Sequence, residues 1–142
     1  MANEITSYDP SQVDSSLGGL DILSGGKADG DFITVEPASE QWVTKVGADG
    51  SVIRTKVLDK RANVKVSLLP TSSRNAVLQA LYVSGLAGPF SLRDRNGSVL
   101  VEATKAWVRK LPAAGRGKEA GMVEWEIECA DADFTFAAGT AL

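Results

Sequence analysis

A chain of 142 residues, 44% hydrophobic and 23% charged, has the size of one domain and can bury a core without help from a metal or a disulfide. The absence of histidine removes Ser-His-Asp and Cys-His catalysis, imidazole bases and His-containing zinc sites, while a lone cysteine, Cys129, excludes an internal disulfide and fits a reducing compartment. The net charge of −3 conceals a strong partition: eight acids face one base in residues 1–40, fourteen bases face four acids in 41–118, and residues 119–142 hold six acids and no base. Such a division fits basic and acidic strands that neighbour each other in one fold, unlike surfaces that meet between copies, or nucleic-acid binding by the middle segment. The third lacks the aromatic–basic interleaving of single-strand binders.

In chain order, the polar start MANEITSYDP does not read as a signal peptide, and no apolar run approaches the ~20 residues of a membrane span, so no membrane association is expected. QVDSSLGGLDIL reads as a hairpin turning at Gly18 and Gly19. SGGKADGD is loop chemistry, and DFITVEP is a short strand that Pro37 ends or confines to an edge. QWVTKV and SVIRTKVL flank GADG, a second hairpin signal. RANVKVSLL alternates as a half-buried strand, with Ala62, Val64, Val66 and Leu68 on the apolar side.

After Pro70 the period changes. TSSRNAVLQALYVSG places Val77, Leu78, Leu81 and Tyr82 on one helical face, with Thr71, Ser72 and Ser73 as capping hydroxyls and Gly85 as the stop; the helix is expected over about 72–84. PFSLRD and SVLVEATKAWVRKL surround the hairpin signal RNG, and LPAAGRGKEAG is a long glycine-rich loop. MVEWEIECADADF follows, with Val123, Trp125, Ile127 and Cys129 on one side of an extended chain and Glu124, Glu126 and Glu128 on the other. The expected fold is mainly β: an antiparallel two-sheet sandwich or barrel of six or seven strands, one domain over 1–142, with one packed helix.

Three carboxylates in a row invite a chemical reading, but same-face neighbours sit about 7 Å apart and no aromatic cluster accompanies them to stack a sugar. Asp29-Gly30-Asp31 and Asp131-Ala132-Asp133 resemble fragments of calcium loops without the twelve-residue continuation. Ser24-Gly25-Gly26-Lys27 and Gly115-Arg116-Gly117-Lys118 could cradle an anion, yet neither opens a helix. No GxxxxGK(S/T) phosphate loop occurs. The chain is therefore expected to have no catalytic residue, no metal site and no cofactor. The loop over residues 111–121 is long enough to expect contact with another molecule.

LGGLDI (17–22), ADGDFITVEPASEQW (28–42), GADGSVIRTKVLDKRANVKVSLL (47–69), SSRNAVLQALY (72–82) and GKEAGMVEWEIEC (117–129) together resemble the tail tube proteins of contractile-tailed bacteriophages. The match is serial, covers nearly the whole chain and rests on no single diagnostic motif. It implies two packed sheets with a helix at the side, six subunits per ring, inner sheets joined into one barrel, and rings stacked into a tube through which DNA is ejected. It further implies a virion location after synthesis in the host cytoplasm. The implied partners are other copies of the chain and the tail sheath, tape measure and baseplate proteins, with DNA passing unbound. The many bases depart from the acidic lumen common in that family. Under the resemblance Glu124, Glu126 and Glu128 are candidates to line the lumen, with an outer solvated face or salt bridges to Lys65 or Lys105 as the alternative. Lys27, Asp29, Asp31, Asp49, Arg116, Lys118 and Glu119, in the loops over residues 24–31, 47–50 and 111–121, are candidate inter-subunit contacts. A monomeric β-sandwich module for carbohydrate or another ligand, a small carboxylate enzyme, a secretion-system tube and a baseplate ring remain open alternatives.

Overall fold

A computed structural model describes residues 8–23, 27, 30–96, 99–115, 117–118 and 121–136. A short 3-10 turn, Pro10–Gln12, leads into β1 (Val13–Leu17) and β2 (Leu20–Asp21), followed by β3 (Ile33–Pro37), β4 (Trp42–Val46), β5 (Val52–Lys56) and β6 (Ala62–Leu68). The helix α1 (Arg74–Ser84) separates these from β7 (Gly88–Asp94), β8 (Val99–Lys110), β9 (Val123–Cys129) and β10 (Ala132–Thr135). The mainly β, antiparallel architecture with one helix is that expected from the sequence, but ten strands occur among the described residues where six or seven were expected. The short β2 is the second arm of the expected first hairpin, whereas β10, in the stretch that resembles a calcium-loop fragment, was not expected as a strand.

The hydrogen-bonded order β2-β1-β7-β8-β9-β6-β3 is continuous, and β8 is the strand that lets it wrap around one core. The first part of β8 pairs with β7 and β10, and the second part with β9. One layer is thus β2-β1-β7-β8-β10 and the other β8-β9-β6-β3. The change of layer has a local cause. Gly88 pairs with Ala106 and Phe90 with Ala103, so Thr104 and Lys105 form a bulge in which both point outward. An extra residue of this kind bends and twists a long strand.

Period-2 alternation fixes what lies between the layers. Val64, Val66 and Leu68 of β6, Phe90 of β7, Val101 of β8 and Trp125, Ile127 and Cys129 of β9 are all buried in a single cluster. Cys129 sits there as a small apolar side chain, and burial pushes its thiol up to about 11, which disfavours the thiolate.

Helix α1 begins two residues later than expected. Ser73 occupies the N-cap without a side-chain bond, and it is the hydroxyl of Ser72 that accepts from the Arg74 amide. Gly85 ends the helix at φ +65°, in the left-handed region. Leu78 is buried, Val77 and Leu81 pack partly against the core, and Tyr82 stays exposed. Asn75 ties the helix to the sheets: its side-chain oxygen accepts from Trp125 Nε1 at 3.0 Å, and its amide nitrogen donates to the Leu69 carbonyl at 3.0 Å.

The β1–β2 turn rests directly on the start of β7. Gly18 and Gly19 both have positive φ, and the Gly18 amide donates to the Pro89 carbonyl at 2.7 Å. A Cβ on Gly88 would lie 2.9 Å from the Gly18 Cα. Both atoms belong to backbone, so Gly88→Ala must push two strands apart and should cost about 1–3 kcal/mol. Chemical denaturation is expected to show a midpoint lowered to match; an unchanged midpoint would mean the approach is looser than described.

Candidate assembly surfaces

The outward face of β9 carries the three glutamates, each opposite a β6 residue: Glu124 faces Ser67, Glu126 faces Lys65 and Glu128 faces Asn63. They do not share one environment. Glu124 is exposed, whereas Glu126 is half-buried beneath two cations: Arg109 Nη2 lies 3.1 Å and Lys110 Nζ 3.7 Å from its oxygens. Arg109 also reaches Asn63 Oδ1 at 3.3 Å. The sequence suggested Lys65 or Lys105 as salt-bridge partners. The observed partners differ because the β8–β9 register shifts between Val108 and Lys110, leaving residues 109 and 110 both exposed beside Glu126. This face is therefore a mosaic of both signs.

The same layer ends in two open edges. Phe32 accepts from the Ser67 amide and Ala38 donates to the Arg61 carbonyl, so the even-numbered residues from 32 to 38 bond inward to β6. The amides of Ile33 and Val35 and the carbonyl of Pro37 then point away from β6, where no strand is paired among the described residues. Pro37 occupies a position whose missing N–H costs nothing within the subunit. At the opposite edge, Lys105 accepts from the Ala130 amide, which turns Val108 away from β9 and beyond the end of β7.

The β4–β5 hairpin is a sheet of its own, and all ten strand residues are exposed. Its register puts Trp42, Thr44, Val46, Val52, Arg54 and Lys56 on one face and Val43, Lys45, Ile53 and Thr55 on the other. The guanidinium of Arg54 sits 4.1 Å from the centre of the Trp42 ring. At the tip, Gly50 takes φ +89° and the Asp49 carboxylate accepts from the Ser51 amide at 3.0 Å, which holds its pKa below the usual value.

The hairpin leaves the body through a defined clamp. Asp59 accepts from Ser39 Oγ at 3.0 Å, from the Arg61 amide at 3.0 Å and from the Arg61 guanidinium at 2.9–3.1 Å. The Ala38–Arg61 and Val57–Gln41 backbone bonds close the same base. Sequence reasoning missed this site, although Asp59-Lys60-Arg61 at a hairpin's exit is a signal that could have found it.

Of the candidate contact residues, Lys27 turns inward. Its ammonium donates to the Pro10 carbonyl and, at 3.1 Å, to that of Val13, and it lies 5.1 Å from the Phe32 ring centre. These contacts lie within its own subunit, where the Lys27–Leu68 bridge holds the residue against the body. Asp31, Asp49 and Lys118 are exposed, and Asp29, Arg116 and Glu119 lie outside the described residues. The structure does not gather these residues into one cluster that could hold a metal: among the described residues no three His, Cys, Asp or Glu side chains come together. No described helix is long and apolar enough to cross a membrane.

Open edges, an exposed hairpin and the layered core can be set against known proteins. Residues 11–137 match the family described as Bacteriophage PhiTE tail tube protein. The chain belongs to this tail tube family. No curated protein matches it. Among solved structures, its fold is similar to the tail protein of an empty gene transfer agent particle refined with C6 symmetry, at a TM-score of 0.61 and 13% identity over 93% of this chain and 100% of that one. It is also similar to the sheath/tube terminator of the extracellular contractile injection system PVC, with a TM-score of 0.61 and 10% identity over 94% and 99%. The tube-terminating cap of the anti-feeding prophage matches at 0.54 and 11% over 96% and 95%. These likenesses establish a tail-tube fold, and family membership makes the chain a structural component of a phage tail.

The Asp59 clamp has a signature in solution. Hydrogen bonds from Arg61 first, then from Ser39, hold its carboxyl well below the ordinary carboxylate value. A carboxyl depressed in the folded state stabilises above its unfolded pKa, near ~3.9, and that contribution is lost only as pH falls through the lower folded value. Carbonyl NMR should find Asp59 still ionised at pH 3, and Arg61→Ala should return its titration toward the ordinary range. An ordinary Asp59 titration in the native protein would dismiss the clamp.

Proposed function

We propose that the chain assembles into rings of six that stack into the inner tube of a tail, through which DNA leaves the capsid. The observation that carries this reading is the pair of open edges on the β8-β9-β6-β3 layer. Its four strands alternate in direction, so β3 of one copy meets the second half of β8 of the next in antiparallel sense. Repetition around an axis pairs every edge and leaves none exposed, which removes the hazard an unpaired edge presents. The C6 symmetry of the similar gene transfer agent tail supports the copy number. A second PVC chain of similar fold, from a sheath–tube complex, with a TM-score of 0.55 and 9% identity over 92% of this chain and 93% of that one, supports a sheath as an outer partner. Tape measure and baseplate proteins would meet the ends and bore of such a tube.

Within this ring, Glu124, Glu126 and Glu128 face the bore. Exposed Glu124 supplies net negative charge to the wall, while Glu126 is balanced by Arg109 and Lys110. DNA carries one charge per ~1.7 Å of axis, and a wall on which Glu124, Glu126 and Glu128 stand beside Arg109, Lys110 and Lys65 carries no net positive charge with which to hold a passing duplex. Asp31, Asp49 and Lys118, with Asp29, Arg116 and Glu119 beyond the described residues, belong to loops that meet neighbouring copies. The chemistry asks for no catalytic group and no cofactor. A second reading, a single ring that ends a tube, is favoured by the similarity to the cap and terminator proteins.

Val35→Pro tests the edge directly. It removes a donor that points away from β6 while leaving the bonds of Thr34 and Glu36 to β6 intact. Circular dichroism should show a folded subunit, and electron microscopy should find no rings. Rings of normal width from this variant would exclude pairing at the β3 edge. Stacked tubes from the unaltered protein separate the tube from the terminal ring, which would stop at one layer. Shortening residues 111–121 to a Gly-Ser turn is likewise expected to leave a folded subunit that builds no tubes; normal tubes would make the loop a plain connector.

A further inference from the structure

We propose that the β4–β5 hairpin is an arm that docks, through Arg54 and Lys56, on the outward face carrying Glu102 and Asp133 of a second copy of the chain. This rests on the self-assembly reading and names the surface that receives the arm. An isolated two-stranded hairpin is at best marginally stable in water, and this one exposes Val46, Val52 and Ile53 by 64–68%. Five residues per strand reach about 17 Å, comparable to the width of a four-stranded face. The arm carries Lys45, Arg54 and Lys56, and its one acid, Asp49, is engaged by its own turn. No described residue forms an ion pair with these three bases.

The receiving face has the opposite character. Across β1, β7, β8 and β10 the register aligns Ser16, Ser91, Glu102 and Asp133 in one row. Glu102 and Asp133 are directly opposed, an arrangement of like charges that destabilises a sheet unless a cation joins it. Neither has an ion pair among the described residues. With Asp131 they border an open groove of about 360 Å³. Arg54 and Lys56 are same-face neighbours about 7 Å apart, opposed side chains across a sheet are about 5 Å apart at Cβ, and the long stems of Arg and Lys span the difference, so both cations can reach the two carboxylates. The arm's own subunit does not fill this role, since both hairpin faces are exposed. A contact between an arm and an unlike face is heterologous, so it extends from copy to copy without closing on itself.

Charge reversal on each side isolates the contact. Arg54→Glu with Lys56→Glu disables the arm and keeps the face; Glu102→Lys with Asp133→Lys disables the face and keeps the arm. Each double variant should melt like the parent and fail to elongate, with arm–face affinity at least about tenfold weaker. Mixed, the two should co-assemble in alternation, since the arm of each now complements the face of the other, and analytical ultracentrifugation should find growing species that neither forms alone. The variant carrying all four changes should elongate again. Elongation by either double variant, or folded variants that neither combine nor recover when all four changes are joined, would overturn the proposal and leave the arm to a different protein. A docked pair without closed rings would uphold the arm while removing the ring reading.

Discussion

Unpaired backbone at the edge of a sheet is the constraint around which this molecule is arranged. Along the path from β2 to β3 each inner strand has a neighbour on both sides over at least part of its length, β8 losing one of them in its second half, and the core beneath is closed over by alternating apolar residues. At β3 the pairing stops with regular, outward-pointing groups at Ile33 and Val35. The usual protections are present in weak form: Pro37 withholds one donor, and the irregularity after Val108 shortens the opposite edge. Neither covers the edge. A subunit that left it open would be prone to indiscriminate pairing, whereas one whose two edges are complementary has a single favoured partner, itself.

Electrostatics then acts on a geometry already set by backbone bonding. On the β9 face the cations of β8 sit against Glu126, so the three glutamates differ in charge balance although they are equivalent in sequence. Surface pairs of this kind contribute little to stability, about 0.2–1 kcal/mol each, so their effect is on the local charge of the face. The opposite layer keeps opposed acids at Glu102 and Asp133. The sequence's partition of charge thus becomes a partition of surfaces: a basic arm on the middle segment and an acidic face formed in part by the last strand.

Much of the fold was legible because it depends on short-range patterns. Alternation in β6 and β9 located the core, the glycine pair at 18–19 located the first turn, and the period change after Pro70 located the helix. What escaped was non-local. β10 follows β9 after only two residues and is a strand because the first part of β8 offers an edge there, which nothing in its Asp-rich sequence announces. The partners of Glu126 depend on an irregular register, and the inward turn of Lys27 depends on carbonyls from a segment more than ten residues earlier. The family resemblance supplied the assembly, but the residues that would make it came from the geometry: the free groups of β3, the clamp at Asp59 and the wholly exposed hairpin.

The most direct test is a cryo-electron microscopy reconstruction of the purified protein assembled into tubes. The account predicts a bore walled by the β8-β9-β6-β3 layer, with Ile33 and Val35 of each copy bonded to the second half of β8 of the next and Glu124 facing the channel. A bore lined by the β1-β7-β8-β10 layer, or rings whose β3 edges remain unpaired, would contradict it.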